Sequence, residues 1–298
     1  MIIAIAGGSG FLGRKLAKRL RSEGHRVLTL TRKAVPASPD TIQWSPDGSP
    51  GTLPASFEGV DVVINLAGEG IADRRWTESR KEAIRVSRIL STRTLVRAVA
   101  ACARPPRVVI SASGIGYYGP RGDEVVTESG EAGSDFLARV CVEWEQEARA
   151  VASPRTRLAV VRTGLVLDRD AGALAKMLLP FKLGLGATIG SGHQFMPWIH
   201  VDDWTAMVSW LIGEQRAFGA FNASAPSPVT NREFTRTLAR VLRRPAVFAA
   251  PGFVLNAALG ELASVLLTGQ RALPAFAEQL GFRFTYRSLE PALRSLDL

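Results

Sequence analysis

Gly7, Gly10 and Gly13 are spaced three apart in the opening run Ile2-Ile3-Ala4-Ile5-Ala6-Gly7-Gly8-Ser9-Gly10-Phe11-Leu12-Gly13. An apolar stretch ends there and a helical pattern begins at once, the strand–turn–helix context that a dinucleotide fingerprint requires. Gly7 permits the tight turn, Gly10 lets a pyrophosphate approach the backbone, and Gly13 lets the helix lie close on the strand. Phe11 and Leu12 start that helix, where unpaired N–H groups and the positive dipole end favour phosphate.

Further candidates for the same ligand follow along the chain. An acidic residue after the second strand, Arg26 to Thr31, would hydrogen-bond the ribose 2′-hydroxyl of NAD. Arg32 and Lys33 stand there instead, and two cations suit the 2′-phosphate of NADP. Leu66-Ala67-Gly68 closes another buried-type strand and is expected to pass under the cofactor, with Ser111 at the next strand and Arg88 on the long helix between them.

Residues able to act on a substrate are fewer. Ser111-Ala112-Ser113-Gly114-Ile115-Gly116-Tyr117-Tyr118 places three hydroxyls, those of Ser113, Tyr117 and Tyr118, just past a strand. Ser113 can orient a substrate oxygen, either tyrosine can serve as acid, and His200 or Glu143 is a candidate base. Cys141 is expected in the core. With only Cys102 and Cys141, and no metal-ligand spacing among the His and Asp residues, no zinc site, disulfide framework or other metal site is expected.

These residues need a scaffold, and the patterning describes one. Helices are expected over Phe11–Ser22, Thr77–Ala103 (with Ile84, Leu95 and Val99 inward) and Ser134–Val151. They alternate with strands at Ile2–Ala6, Arg26–Thr31, Thr41–Trp44, Val60–Gly68, Arg107–Ser111 and Leu158–Arg162, with Leu165–Leu167 prolonging the last. Residues 34–58 otherwise look like a loop. The alternation predicts an α/β fold, a Rossmann-like doubly wound parallel sheet. Past the glycine-rich loop 184–194, the helix Trp204–Ile212 and the strand Ala220–Ala223, helices dominate, with Thr230 and Glu233 in capping-box spacing. Residues 1–165, with 196–225 returning to them, are therefore assigned to an NADP-binding domain. Residues 166–195 and 226–298 are assigned to a smaller, mostly helical C-terminal cap domain.

The chain has 298 residues, a net charge of +10 and 31 arginines among its 37 basic residues. The arginines are scattered and form no stripe with interleaved aromatics, so small anionic ligands are expected and nucleic acid is not. No leader, spanning segment or membrane partner is expected, and the two cysteines suit a reducing, cytoplasmic setting.

The glycine triplet, Asn65-Leu66-Ala67-Gly68, Ser113 near Tyr118-Gly119, and Trp198-Ile199-His200-Val201-Asp202-Asp203 resemble the extended short-chain dehydrogenase/reductase superfamily, its NAD(P)-dependent epimerase/dehydratase group. Arg74-Arg75-Trp76, the Tyr pair, Pro197-Trp198-Ile199-His200 and Gly281-Phe282 resemble its atypical branch of epimerase family proteins, which carry a C-terminal domain of unknown function. The resemblance implies an NADP-binding oxidoreductase or a sugar-nucleotide-epimerase-like enzyme acting on a small substrate, and a homodimer through the two long helices. It also implies a Tyr general acid/base with a Lys four residues later, since useful phenolate at pH 7 needs about 4 kcal/mol of help. Here Tyr117, Tyr118 and Tyr286 are followed at that spacing by Arg121, Gly122 and Glu290. Phe136 and Val140 or Cys141 fall where the dyad belongs, which leaves a catalytically silent NADP-binding regulatory or sensor protein as the alternative.

Overall fold

The computed structural model describes residues 1–33 and 38–298. The first half runs β1 (Ile2–Ala6), α1 (Phe11–Ser22), β2 (Arg26–Thr31), β3 (Thr41–Gln43), α2 (Leu53–Phe57), β4 (Val62–Asn65), α3 (Glu78–Ala100), β5 (Val108–Gly114), β6 (Val125–Val126), α4 (Phe136–Arg149) and β7 (Arg157–Thr163). The second half adds β8 (Leu165–Leu167), α5 (Gly172–Lys182), β9 (Ala187–Ile189), β10 (Phe195–Met196), β11 (Trp198–His200), α6 (Val201–Gly213) and β12 (Gly219–Ala223). It continues through β13 (Val229–Thr230), α7 (Asn231–Leu242), β14 (Phe248–Ala250), α8 (Gly252–Leu259), α9 (Ala263–Leu267), β15 (Arg271–Ala272), α10 (Ala275–Gln279) and α11 (Leu289–Arg294). The expected loop 34–58 begins with residues 34–37, which lie outside the described residues.

Seven parallel strands form the central sheet, in the order β12-β7-β5-β4-β1-β2-β3. The order reverses between β1 and β4, and in such sheets the crevice at that switch point takes the ligand. Period-two alternation sends Ile3, Ile5, Val62 and Ile64 to one face, against Leu16 and Leu20 of α1 and Trp204, Val208 and Leu211 of α6. Ala4, Ala6 and Val63 point to the other face, against Leu95 and Val99 of α3 and Ala148 of α4. The fold is the doubly wound α/β architecture, Rossmann-like, and both faces are covered because parallel strands are apolar on both sides.

Caps fix where the long helices start. The Thr77 side chain accepts the Arg80 N–H at 3.1 Å to begin α3, and Asp135 accepts the Ala138 N–H at 2.8 Å to begin α4. Thr230 and Glu233 make the expected capping box on α7.

Two second-half expectations change. Leu165–Leu167 does not prolong β7. A Cβ on Gly164 would lie 2.2 Å from the Pro197 carbonyl oxygen, and past it β8 pairs with β11 in a separate two-stranded ladder. The glycine-rich stretch 184–194 holds β9, which pairs with β14.

A further apolar cluster joins α5, α7 and α11 through Leu174, Phe181, Phe234, Leu238 and Leu293. The C-terminal region is not confined to it: Ala277, Phe282 and Phe284 enter the core beside α1 and α6. Buried Asp203 of α6 holds this return, accepting the Thr285 and Tyr286 N–H groups at 2.8 and 2.9 Å.

Candidate nucleotide and substrate site

The turn after β1 is packed backbone against backbone. Gly7 has φ +76, and a Cβ there would lie 2.6 Å from the Leu66 carbonyl oxygen at the end of β4. A Cβ on Gly13 would lie 2.2 Å from the Gly7 carbonyl oxygen, so α1 reaches the turn only because residue 13 has no side chain. Gly10 is the N-cap of α1 and donates its N–H to Gly7 at 2.9 Å. No side chain caps α1 and no acid stands in its first turn, so its N-terminal N–H groups, those of Phe11 and Leu12 among them, are left for an anion. The Phe11 ring turns away to rest by Gly172.

The rest of the expected nucleotide set borders this turn. Arg32 and Lys33 are exposed directly after β2, the strand beside β1. At the end of β4, the Asn65 side chain accepts the Ala67 N–H at 3.1 Å and donates to Thr92 at 2.8 Å, which shapes Leu66-Ala67-Gly68. Ser111 is buried beside Asn65 in register. Arg88 reaches Gly68, with its Cζ 3.2 Å from where a Cβ would stand. The guanidinium donates to the Ile84 carbonyl at 2.9 Å and lies 5.2 Å over the Trp144 ring. Burial lowers the Arg88 pKa, and among the described residues no carboxylate hydrogen-bonds it. Trp144 Nε1, also buried, has no hydrogen-bond partner there. Donors with spare capacity beside a glycine-lined strand end fit an anionic, hydroxyl-bearing ligand.

The strand β5 runs on to Gly114, so Ser113 lies within it; Ser113 and Tyr118 belong to a buried network whose hub is Arg162 of β7. Arg162 forms a two-pronged pair with Glu145 of α4, Nε to Oε1 at 2.8 Å and Nη2 to Oε2 at 2.9 Å. Burial works against the Arg162 charge, but the Glu145 carboxylate outweighs it and raises the pKa above its ordinary value. Ser113 donates to Glu145 at 2.8 Å. The Tyr118 hydroxyl accepts from Arg162 at 2.9 Å and donates to Asn222 at 2.8 Å. Burial pushes the Tyr118 phenol up to about 12 against the opposing pull of Arg162, so this tyrosine is not placed to exchange protons at neutral pH. Tyr117 differs: it is half-buried, and the Arg162 guanidinium lies 3.4 Å from its ring centroid. Cys141 is core, as expected, with its thiol pushed up to about 11 by burial.

Other candidates are drawn elsewhere. Glu143 pairs with Arg85 at 2.8 Å between α3 and α4. His200 is the N-cap of α6: its Nδ1 accepts the Asp202 N–H at 3.1 Å, its Nε2 meets the Ser295 hydroxyl at 3.3 Å, and its ring lies 4.1 Å from that of Tyr286. Both nitrogens are engaged by the second half of the chain, which leaves neither for a substrate at Ser113. Burial lowers the His200 pKa against nearby Asp202, Asp203 and Asp168. Below about 6.5 the unfolded chain takes up a proton that the folded protein refuses, so this residue's effect is a stability lost as pH falls. Urea midpoints at pH 5.5 and 7.5 should show that loss, and His200→Gln should shrink it; equal losses in both proteins would assign it to another group.

Arg162, Glu145, Glu128 and Asn222 were missed as a group by the sequence reading. Glu128 receives the Asn222 and Phe276 N–H groups at 3.0 and 3.2 Å, which ties the C-terminal region to the same network. The available sign was charge in the wrong place: Glu145 falls among the inward positions Ala138, Cys141 and Ala148, and Arg162 follows Ala159-Val160-Val161. Phe136 packs edge-on to Trp76 at 5.1 Å, with the Lys81 ammonium 5.7 Å from its centroid. Lys81 in turn binds Glu261 at 2.9 Å.

Comparison with known proteins places this geometry. Residues 3–224 match the NAD dependent epimerase/dehydratase family, and residues 250–296 match a domain of unknown function, DUF1731. "Epimerase family protein ML0860" of Mycobacterium leprae is 41% identical over 293 residues, which cover 98% of this chain and 94% of the relative. The crystal structure of the human epimerase family protein SDR39U1 (isoform 2) with NADPH superposes with a TM-score of 0.92 at 35% identity over 99% of each chain. A nucleoside-diphosphate sugar epimerase from Corynebacterium glutamicum superposes with a TM-score of 0.81 at 34% identity, over 99% of this chain and 58% of that one. The sheet order, the glycine turn and the two matched segments agree, and the chain belongs to the NAD dependent epimerase/dehydratase family, with a DUF1731 segment at its C-terminal end.

Proposed function

We propose that the protein is an NADPH-dependent oxidoreductase acting on a small carbonyl- or hydroxyl-bearing substrate. The observation that carries it is the turn at Gly7–Gly13, where backbones meet too closely for side chains and the N-terminus of α1 has neither a side-chain cap nor an acid. Arg32 and Lys33 would take the 2′-phosphate, and Gly68, Arg88 and Ser111 would border the remainder. The human relative crystallised with NADPH supports the same dinucleotide here. When bound, that cofactor supplies hydride.

The proton is assigned to Tyr117. It is the tyrosine of the pair that is only half-buried, and its ring is held under the Arg162 guanidinium, 3.4 Å from the ring centroid. The Ser113 hydroxyl donates its hydrogen bond to Glu145 and keeps lone pairs to accept from a substrate hydroxyl. A homodimer across the outer faces of α3 and α4 belongs to the same reading.

Fluorescence titration should give tighter binding for NADPH than for NADH, a preference that Arg32→Ala removes; equal losses for both cofactors would contradict the 2′-phosphate assignment. On a panel of carbonyls, quinones and sugar nucleotides, Tyr117→Phe should slow NADPH oxidation by about 100-fold or more. Turnover that survives in Ser113→Ala/Tyr117→Phe would remove this site. A second reading, an NADPH-holding regulatory protein without turnover, is favoured by Phe136 and Val140 or Cys141 standing near where the family resemblance expects the Tyr and Lys. NADPH binding with no substrate turned over would select it.

A further inference from the structure

The cap carries an apolar surface that the nucleotide site does not use. Helix α8, GFVLNAAL, has no charge and none of its residues is buried. Phe253 is 75% exposed and Val247, just before β14, 79%. Leu179 and Leu183, one turn apart at the end of α5, are each 66% exposed, with Leu185 and Phe248 also exposed. The β9–β14 pairing draws these segments together: Ala187 pairs with Phe248, and a Cβ on Gly186 would lie 3.0 Å from Ala246. Apolar side chains protruding from segments joined by one ladder mark an interaction surface.

Charge narrows the partner. Lys182, Arg243 and Arg244 are exposed in the same segments, while residues 171–201 and 234–260 contain no Asp or Glu. Acids flanking or packed on these stretches have other partners: Glu233 caps α7, Asp170 faces Lys15 at 4.0 Å, Asp73 pairs with Lys176, Glu261 with Lys81, and Glu290 with Arg240 and Arg294. Two-fold self-association would set the same unneutralised cations against themselves. A lipid surface makes no such demand, since its phosphates neutralise the cations and its acyl boundary receives protruding Phe, Leu and Val side chains.

We propose that the end of the cap built from α5, β14 and α8 docks on an anionic phospholipid surface, with Phe253 and Val247 entering the headgroup–acyl boundary and Lys182, Arg243 and Arg244 on lipid phosphates. This replaces the expectation of no membrane partner with a peripheral attachment, no described helix being long and apolar enough to cross a membrane. It stands independently of the NADPH reading.

The test is sedimentation of the full chain with phosphatidylcholine vesicles, with and without one-third phosphatidylglycerol. Binding is expected to the anionic vesicles alone and to fall with added salt. Val247→Asp/Phe253→Asp should weaken it on the order of tenfold with an unchanged thermal midpoint, and Arg243→Gln/Arg244→Gln should weaken it and flatten the salt dependence. Equal binding to neutral vesicles, no binding to anionic ones, or binding indifferent to both double variants would overturn the proposal. So would a self-associated protein, without lipid affinity, that Val247→Asp/Phe253→Asp converts to monomer in sedimentation velocity.

Discussion

Arg162→Met is expected to destabilise the protein by about 3–5 kcal/mol, the usual consequence of stranding one member of a buried ion pair. Glu145 would remain buried, still accepting the Ser113 hydrogen bond and facing the exposed Arg149 guanidinium at 3.7 Å, but without its two contacts to Arg162. Tyr118 and the Glu128 carbonyl would each lose a donor as well. Against a total stability of about 5–15 kcal/mol, that brings folding itself into question. The companion variant Arg162→Met/Glu145→Gln removes the stranded charge and should recover part of the loss, which separates ionic cost from packing cost. Urea unfolding of the two variants measures both, and a single-variant loss below about 1 kcal/mol would mean that the pair contributes little.

Gly13→Ala should lower NADPH affinity by about 100-fold. The added methyl would meet the Gly7 carbonyl oxygen at 2.2 Å and the Gly8 Cα at 2.6 Å, and neither is a side chain that can swing aside. Helix α1 must move off the turn, carrying the N–H groups that face the pyrophosphate, and overpacking of this kind costs about 1–3 kcal/mol of stability as well. Gly213→Ala is the control, because its methyl would enter open space. Fluorescence titration with NADPH and thermal melts of both variants check the pair of outcomes. An unchanged affinity in Gly13→Ala would dissociate the turn from the nucleotide.

The first helix was readable to the residue, since Leu16 and Leu20 repeat at helical spacing and Gly10 marks its start. The second strand was equally plain from Arg26 to Thr31. Both depend on local pattern alone. The path after Gly164 was not legible, because there the chain leaves the sheet to pair with β11, which is remote in sequence, past a residue whose missing side chain lets Pro197 come close. The same limit applied at the site. Glycine spacing encodes the nucleotide turn locally, whereas the partner of Ser113 is Glu145, brought to it by the packing of α4 on β5. Tyr118 read as an accessible hydroxyl because nothing near it in sequence discloses that Asn222 and Arg162 enclose it.

The return of Phe282 and Phe284 beneath α1 and α6 sets a timetable for synthesis. The strand β1 is made well before Phe282, which closes the same core from the far side by packing on Trp210 of α6. At about 5–20 residues per second, the nascent nucleotide fold waits for tens of seconds with apolar surface open, a period when chaperone capture competes with aggregation. Asp203 is then the latch, since its carboxylate fastens the Thr285 and Tyr286 backbone as that last segment arrives.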